Sequence, residues 1–237
     1  SYHNLSKVLA ALKQAKHCQW YGYQQLELQP TLSGEFYVSY NDDLVLRVLK
    51  WIDSEEVTEV TEKIAYEAGK VLADFHLSVR HARGLSDLVN DTNAVEPLPH
   101  FHDSAWYLRQ WQDALAKAEW ADSSLDLTTH LAIIANGAAL IADFDIFRQT
   151  QLLQQPRVMH GDPKLANMLF RHQQAVALID YDTIMSGLWH YDVADALRSL
   201  CNTQSENGDI EHVDFDTALF TAFMEGYAPA LLAWTST

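Results

Sequence analysis

The order of apolar and polar positions divides this chain into a mostly helical protein with two small β regions. In "NLSKVLAALKQAK", residues 4–16, Leu5, Val8, Leu9 and Leu12 recur at helical spacing, and Asn4 suits the N-cap. An aromatic, turn-rich segment follows. "EFYVSYNDDLVLRVLKWID" then reads as strands over 35–40 and 44–52, joined by a tight Asn-Asp-Asp turn. Residues 55–82 predict one long helix with Ile64, Ala68, Val71, Leu72 and Phe75 on its apolar face and Glu55 and Glu56 in its first turn. The segment 83–102, with Gly84, Pro97 and Pro99, reads as a connection, and helices are expected at 103–120 and 126–149. The period then shortens. "RVMH", "NMLF" and "AVALID" are short β-type runs separated by polar turns, before helices return at 190–203 and 212–233. No internal repeat or low-complexity tract interrupts this order. The expected class is α+β: a small N-terminal part, residues 1–50, and a helical main lobe, 51–237, carrying a β-hairpin near 158–180.

The 237 residues carry a net charge of -16, so a nucleic-acid backbone or an anionic membrane is not the expected main partner. A small anionic ligand held by a local basic patch remains compatible with it. Cys18 and Cys201 are isolated in sequence, which fits a reducing compartment such as the cytoplasm. No apolar run reaches membrane-spanning length, and the first residues do not read as a signal peptide.

The chemistry concentrates where the period changes. "VMHGDPKLANMLF" places Asp162, Lys164 and Asn167 between two apolar runs. "LIDYDT" brings Asp180 and Asp182 thirteen and fifteen residues after Asn167. A hairpin between the two clusters would return them to one end. Magnesium is a hard ion that takes oxygen ligands and keeps several waters, so one carboxylate and one amide oxygen, completed by phosphate oxygens, can hold it. A second carboxylate can accept the proton of an attacking hydroxyl, and a lysine can offset charge on a transferred phosphoryl group. These are the parts that phosphoryl transfer uses.

"HGDPKLANMLF" followed by "ALIDYDT" resembles the phosphotransferase group that includes aminoglycoside phosphotransferases and choline kinases, which shares the protein-kinase-like fold. The resemblance implies Asp162 as catalytic base, Asn167 and Asp180 as Mg²⁺ ligands, Lys164 at the γ-phosphate of ATP, and His160 as a packing residue that positions the loop. "DTIMSGLWHYDVADALRS", "LPHFHDSAWYL" and "GKVLADFH" resemble the sugar-kinase branch, especially the N-acetylhexosamine 1-kinase type. By that likeness Asp192 and Asp195 brace the catalytic loop or line the acceptor pocket, and Arg198 faces the acceptor. The partner expected is a small-molecule hydroxyl acceptor, a sugar.

In the same likeness "VLRVLKWID" fits the last strand and the hinge, where the chain at Lys50 and Trp51 meets adenine. Trp51 and Trp189 are candidates for pocket walls. The only glycines before residue 60 are Gly22 and Gly34, so no Gly-rich phosphate loop is found, nor a strand lysine paired with a helical glutamate. The nucleotide clamp is therefore expected to be missing, with weaker ATP binding. A degenerate relative that binds a ligand or partner without catalysis is the second expectation, and a metal-dependent hydrolase the third.

Plainer roles stand beside several of these residues. Asp182 is as well explained by a turn as by an acceptor contact. Asp195 and Arg198, three apart on a helix, suit an intrahelical ion pair nearly as well as a site role. "HFHD", residues 100–103, lacks a third zinc ligand and reads as a loop ending in a helix cap at Asp103. Trp106, Trp111 and Trp120 are expected in the core or at a lobe interface, and His76 in a packed or surface position.

Overall fold

The computed structural model describes residues 9, 22–41, 44–81, 98–117, 128–148, 157–204 and 212–235. The helix expected at 4–16, most of the 83–102 connection, Cys18 and Trp120 lie outside them. By its internal contacts the chain divides into two compact units, one of residues 1–97 with 157–237, the other 98–156.

In the first unit, β1 (Leu28–Gln29) pairs antiparallel with β4 (Val48–Leu49), and β2 (Val38–Ser39) with β3 (Val45–Leu46). The single strand expected over 44–52 is thus two strands with different partners. They part at Arg47, whose guanidinium leaves the ribbon to grip Asp182 through both carboxylate oxygens. The turn before β3 is closed by the Asn41 side chain, which accepts the Leu44 N–H at 2.7 Å.

The long helix α1 runs Glu62–His81 rather than from residue 55. Thr61 caps it, its hydroxyl accepting the Ile64 N–H at 3.3 Å. Glu55 is held outside the helix because its N–H donates to Phe170 O at 2.8 Å, as an isolated β-bridge. Its carboxylate receives the His172 N–H at the tip of the hairpin. Ile64, Ala68, Val71, Leu72 and Phe75, the expected apolar face, are all buried.

α1 packs along α5 (Thr217–Thr235), which Asp216 caps through the Ala218 and Leu219 N–H groups. The two backbones touch at glycines. A Cβ on Gly69 would stand 2.1 Å from Phe223 O, and one on Gly226 would stand 2.0 Å from Tyr66 O. No side chain fits at either position.

Four strands complete this unit. β5 (Arg157–Met159) pairs antiparallel with β8 (Met185–Gly187), and β6 (Met168–Arg171) forms a hairpin with β7 (Gln174–Leu178). His172 and Gln173 turn the hairpin at φ 52° and 59°. β8 was not expected from the sequence; "MSG" is too short to show a period of two. α4 (Trp189–Leu200) follows it.

The second unit holds α2 (Ser104–Lys117) and α3 (Thr128–Arg148). Asp103 caps α2, accepting the Trp106 N–H at 2.8 Å. Trp106 and Trp111 are half-buried, not core residues, because α2 buries none of its side chains fully. His100 stacks on Trp106 with ring centroids 4.6 Å apart, so the "HFHD" segment forms an aromatic turn. No described helix of either unit is long and apolar enough to cross a membrane.

Candidate active site

Among the described residues, the loop after β5 carries a dense set of polar contacts. It turns at Gly161, whose φ of 90° L side chains rarely adopt; a Cβ there would stand 2.4 Å from Thr183 O. Thr183 closes the turn by donating its hydroxyl to His160 O at 2.9 Å. His160 is fully buried. Its Nε2–H donates to Ile179 O at 2.9 Å, which leaves Nδ1 to accept the Asp162 N–H at 3.3 Å. The expected packing role of His160 therefore has a definite geometry: one imidazole ties the loop to the end of β7.

Asp162 is partly exposed. Its Oδ2 receives the Lys164 ammonium at 3.0 Å and the Asn167 Nδ2–H at 3.1 Å, while Asn167 Nδ2 also donates to Asp162 O at 2.7 Å. Among the described residues nothing donates to Asp162 Oδ1. Because both Asn167 amide protons are taken by acceptors, its side-chain orientation is fixed and Oδ1 is turned away from Asp162. That oxygen too has no donor among the described residues.

Asn167 O accepts the Ile179 N–H at 2.9 Å, extending the hairpin ladder by one step and setting Asp180 beside Asn167. Asp180 sits in the left-handed region at φ 64°, ψ 63°. Its exposed carboxylate has no hydrogen bond or ion pair among the described residues. The hairpin thus brings Asp162, Lys164, Asn167 and Asp180 to one end. An amide oxygen and a carboxylate, both without donors, are a chemically suitable pair for a hard cation that completes its shell with water and phosphate. Among the described residues no group of three or more His, Cys, Asp or Glu side chains is placed to hold a metal by itself.

The other candidates separate. Asp182 is engaged by Arg47. Lys50 donates its N–H to Glu27 O at 2.8 Å and pairs loosely with the Glu27 carboxylate, while Trp51 stands 83% exposed. Asp195 accepts the Arg198 Nε–H at 3.0 Å, so the intrahelical pair is present; its Oδ2 is buried without a partner. Trp189 presents no open face. It is 6% exposed, stacks on His76 at 4.4 Å and donates its indole N–H to Val158 O at 2.8 Å. The pocket wall expected there is corrected to a core position, because the indole needs and finds an acceptor inside.

Four contributors escaped the sequence reading. Asp192, fully buried, accepts the His160 N–H (2.7 Å) and the His76 Nε2–H (2.8 Å) on Oδ2 and the Gly161 N–H (2.8 Å) on Oδ1. Burial alone would raise its carboxyl, but the bonds from His76 and Gly161 outweigh that and hold it below the ordinary carboxylate range. His76 is pushed down by burial and stays neutral, so Nδ1 accepts from the Tyr227 hydroxyl at 2.8 Å. Ser199 accepts the Leu165 N–H at 2.8 Å from the far end of α4. Asp192 was expected to brace the catalytic loop or line the acceptor pocket; His76, Tyr227, Ser199 and Arg47 were not expected in the contacts they make. The one available signal was Asp192 and Ser199 seven apart, on one helical face.

Comparison with known proteins follows the same lines. Residues 5–231 match the phosphotransferase enzyme family (APH). An aminoglycoside phosphotransferase from Alicyclobacillus acidocaldarius subsp. acidocaldarius DSM 446 superposes with a TM-score of 0.59 at 20% identity, over 94% of this chain and 63% of that one. Spectinomycin phosphotransferase APH(9)-Ia, in complex with ADP and spectinomycin, gives 0.57 at 15% identity, over 96% and 64%. Amicoumacin kinase hAmiN, with AMP-PNP and Ca²⁺, gives 0.57 at 13% identity, over 94% and 61%. At these identities the likeness establishes the kinase-like fold. The chain spans less than two thirds of the length of these structures.

Proposed function

Since the chain belongs to the phosphotransferase enzyme family, we propose that it transfers the γ-phosphoryl group of ATP to a hydroxyl of a small molecule, with a sugar such as an N-acetylhexosamine as acceptor and the cytoplasm as its setting. The observation that carries this reading is the amide of Asn167. Bonded through Nδ2 to Asp162, it leaves its own oxygen and Asp162 Oδ1 without a donor among the described residues, and its backbone O takes the N–H of Ile179, the residue before Asp180.

In this reading the acceptor hydroxyl donates to Asp162 Oδ1. As its oxygen forms a bond to the γ-phosphorus, the bond from that phosphorus to the bridging oxygen breaks in line, ADP leaves, and Asp162 keeps the proton. Lys164, within 3.0 Å of Asp162 Oδ2, is near enough to move to the γ-phosphate oxygens and offset their charge. Asn167 and Asp180 would hold Mg²⁺, whose contribution when bound is to neutralise the phosphates. The chain at Lys50 and Trp51 faces adenine. The acceptor lies near Asp195, with Arg198 and Asp182 at its rim; Trp189 acts by packing.

The test is ADP release from MgATP with a panel of free sugars, N-acetylhexosamines included, and with spectinomycin and gentamicin, alongside Asp162→Asn. Acceptor-dependent release that the variant loses is expected. Release from the variant at the parent rate would remove Asp162 as the base. No release with any acceptor would turn the reading to a member that binds ligand without catalysis.

A further inference from the structure

We propose that His76 and Tyr227 are positioning residues of the catalytic loop: together they hold the Asp192 carboxylate in the orientation that fixes the backbone of His160 and Gly161, and so the place of Asp162. The role of the loop rests on the phosphotransfer reading; the bracing rests on geometry alone.

The β5–β8 ladder ends at the pair Met159–Met185, so strand pairing does not serve the next two N–H groups, those of His160 and Gly161. Both are served by one carboxylate, each amide taking a different oxygen of Asp192. An aspartate on a helix has two side-chain torsions to fix, and the two loop amides depend on the carboxylate for their own placement, so a further donor is needed to fix it. The third donor, His76 Nε2–H, comes from α1. That imidazole is itself held at three places. Tyr227 of α5 donates to Nδ1, which fixes the tautomer and keeps the remaining proton directed at Asp192. Trp189 lies flat against the ring with an interplanar angle of 5°. The same Trp189 is anchored on Val158 O, two residues before His160. Three helices therefore converge through side chains on one two-residue stretch of backbone.

Simple space-filling is the plainer account of a buried histidine. It does not explain why both ring nitrogens are hydrogen-bonded, one to Tyr227 and the other to the carboxylate that holds the loop, because a leucine would fill the volume without the cost of burying polar groups.

The experiment compares the full chain with His76→Leu, His76→Gln and Tyr227→Phe. Amide hydrogen exchange at His160 and Gly161 is read beside thermal stability, and kcat and KM for MgATP are read in ADP release with an N-acetylhexosamine, or with water as acceptor. His76→Leu should expose both amides and lower kcat by about 10²-fold, the scale of a small misplacement of a reacting group, with KM for MgATP within about twofold. His76→Gln, which returns an N–H towards Asp192, should recover most of both losses. Tyr227→Phe should give a smaller effect, roughly 3–10-fold, the worth of one hydrogen bond. Unchanged exchange at both amides in His76→Leu and Tyr227→Phe, or a glutamine variant no better than leucine, would overturn the proposal. If the leucine variant does not fold, the glutamine and phenylalanine variants decide it by the same readings. If no variant and no parent releases ADP, phosphotransfer fails as a reading while the exchange result still decides the bracing.

Discussion

The two sides of the loop at residues 160–167 are built on opposite rules. On the inner side the loop is held by a set of engaged polar groups: His160 and Gly161 on Asp192, the His160 ring on Ile179 and Asp162, Leu165 on Ser199. On the outer side the oxygens that matter are left open: Asp162 Oδ1, Asn167 Oδ1 and the Asp180 carboxylate. Buried donors and acceptors without partners are costly, so the inner side has to be satisfied for the chain to fold at all. On the outer side Asp180 is exposed and Asp162 partly so, while Asn167 is almost fully buried, and in the proposed reading these oxygens are available to a ligand. In that reading, rigidity and reactivity are separated across the thickness of one loop.

That contrast can be broken at graded cost. On the outer side, Asp162→Asn should reduce turnover by about 10²–10⁴-fold, the worth of a positioned base, with nucleotide binding near the parent's. Single-turnover ADP release measures it, and a variant of near-parent rate would end the assignment. Asn167→Ala and Asp180→Ala should weaken the dependence of ADP release on Mg²⁺ by at least the about 10–100-fold that loss of a supporting partner costs a metal site. A Mg²⁺ titration that does not move in either variant would remove them as ligands.

On the inner side, Gly161→Ala should cost about 2–4 kcal/mol, from the left-handed backbone and the clash with Thr183 together, and urea denaturation measures it. A loss under about 1 kcal/mol would show that the turn can relax. Acid provides a milder probe. His76 and His160 are both pushed down by burial, whereas the unfolded imidazole titrates at its ordinary 6.5. Unfolded chains therefore take up protons there before folded ones do. Stability should be complete above that value and fall as the pH is lowered through it. A urea midpoint that stays level from pH 7 to pH 5 would contradict a neutral, buried pair. The smallest effect is expected at Arg47→Ala, which removes a partly exposed ion pair worth about 0.5 kcal/mol.

The outer side was legible in the sequence because its chemistry is local. Asp162, Lys164 and Asn167 lie within six residues, and the hairpin that returns the chain to Asp180 is written in "NMLF" and "AVALID". The helices were legible for a related reason: an apolar face repeats along one element, as at Ile64 to Phe75. The inner side was not, since its partners are far apart in the chain. His76 meets Asp192 across 116 positions and Tyr227 across 151, and neither residue carries a local pattern that announces the other. Trp189 was misjudged for the same reason: its place after the acidic loop suggested a wall, but its acceptor, Val158 O, sits on a strand whose partner strand, β8, had no readable period. The start of α1 was placed early because Glu55 looks like a first-turn acid, when a bridge to Phe170 claims it first.

The contact of Gly69 and Gly226 can be viewed as a gauge. With a hydrogen in place of a side chain at each, the axes of α1 and α5 close to the distance that backbone atoms allow, and Tyr227 is the residue immediately after the point of closure. The 2.8 Å reach of its hydroxyl to His76 is therefore set by the thickness of the two helices themselves. A methyl group at either glycine would act as a shim. It would force the helices apart and draw the phenol back from the imidazole, although neither glycine touches the loop whose alignment depends on that spacing.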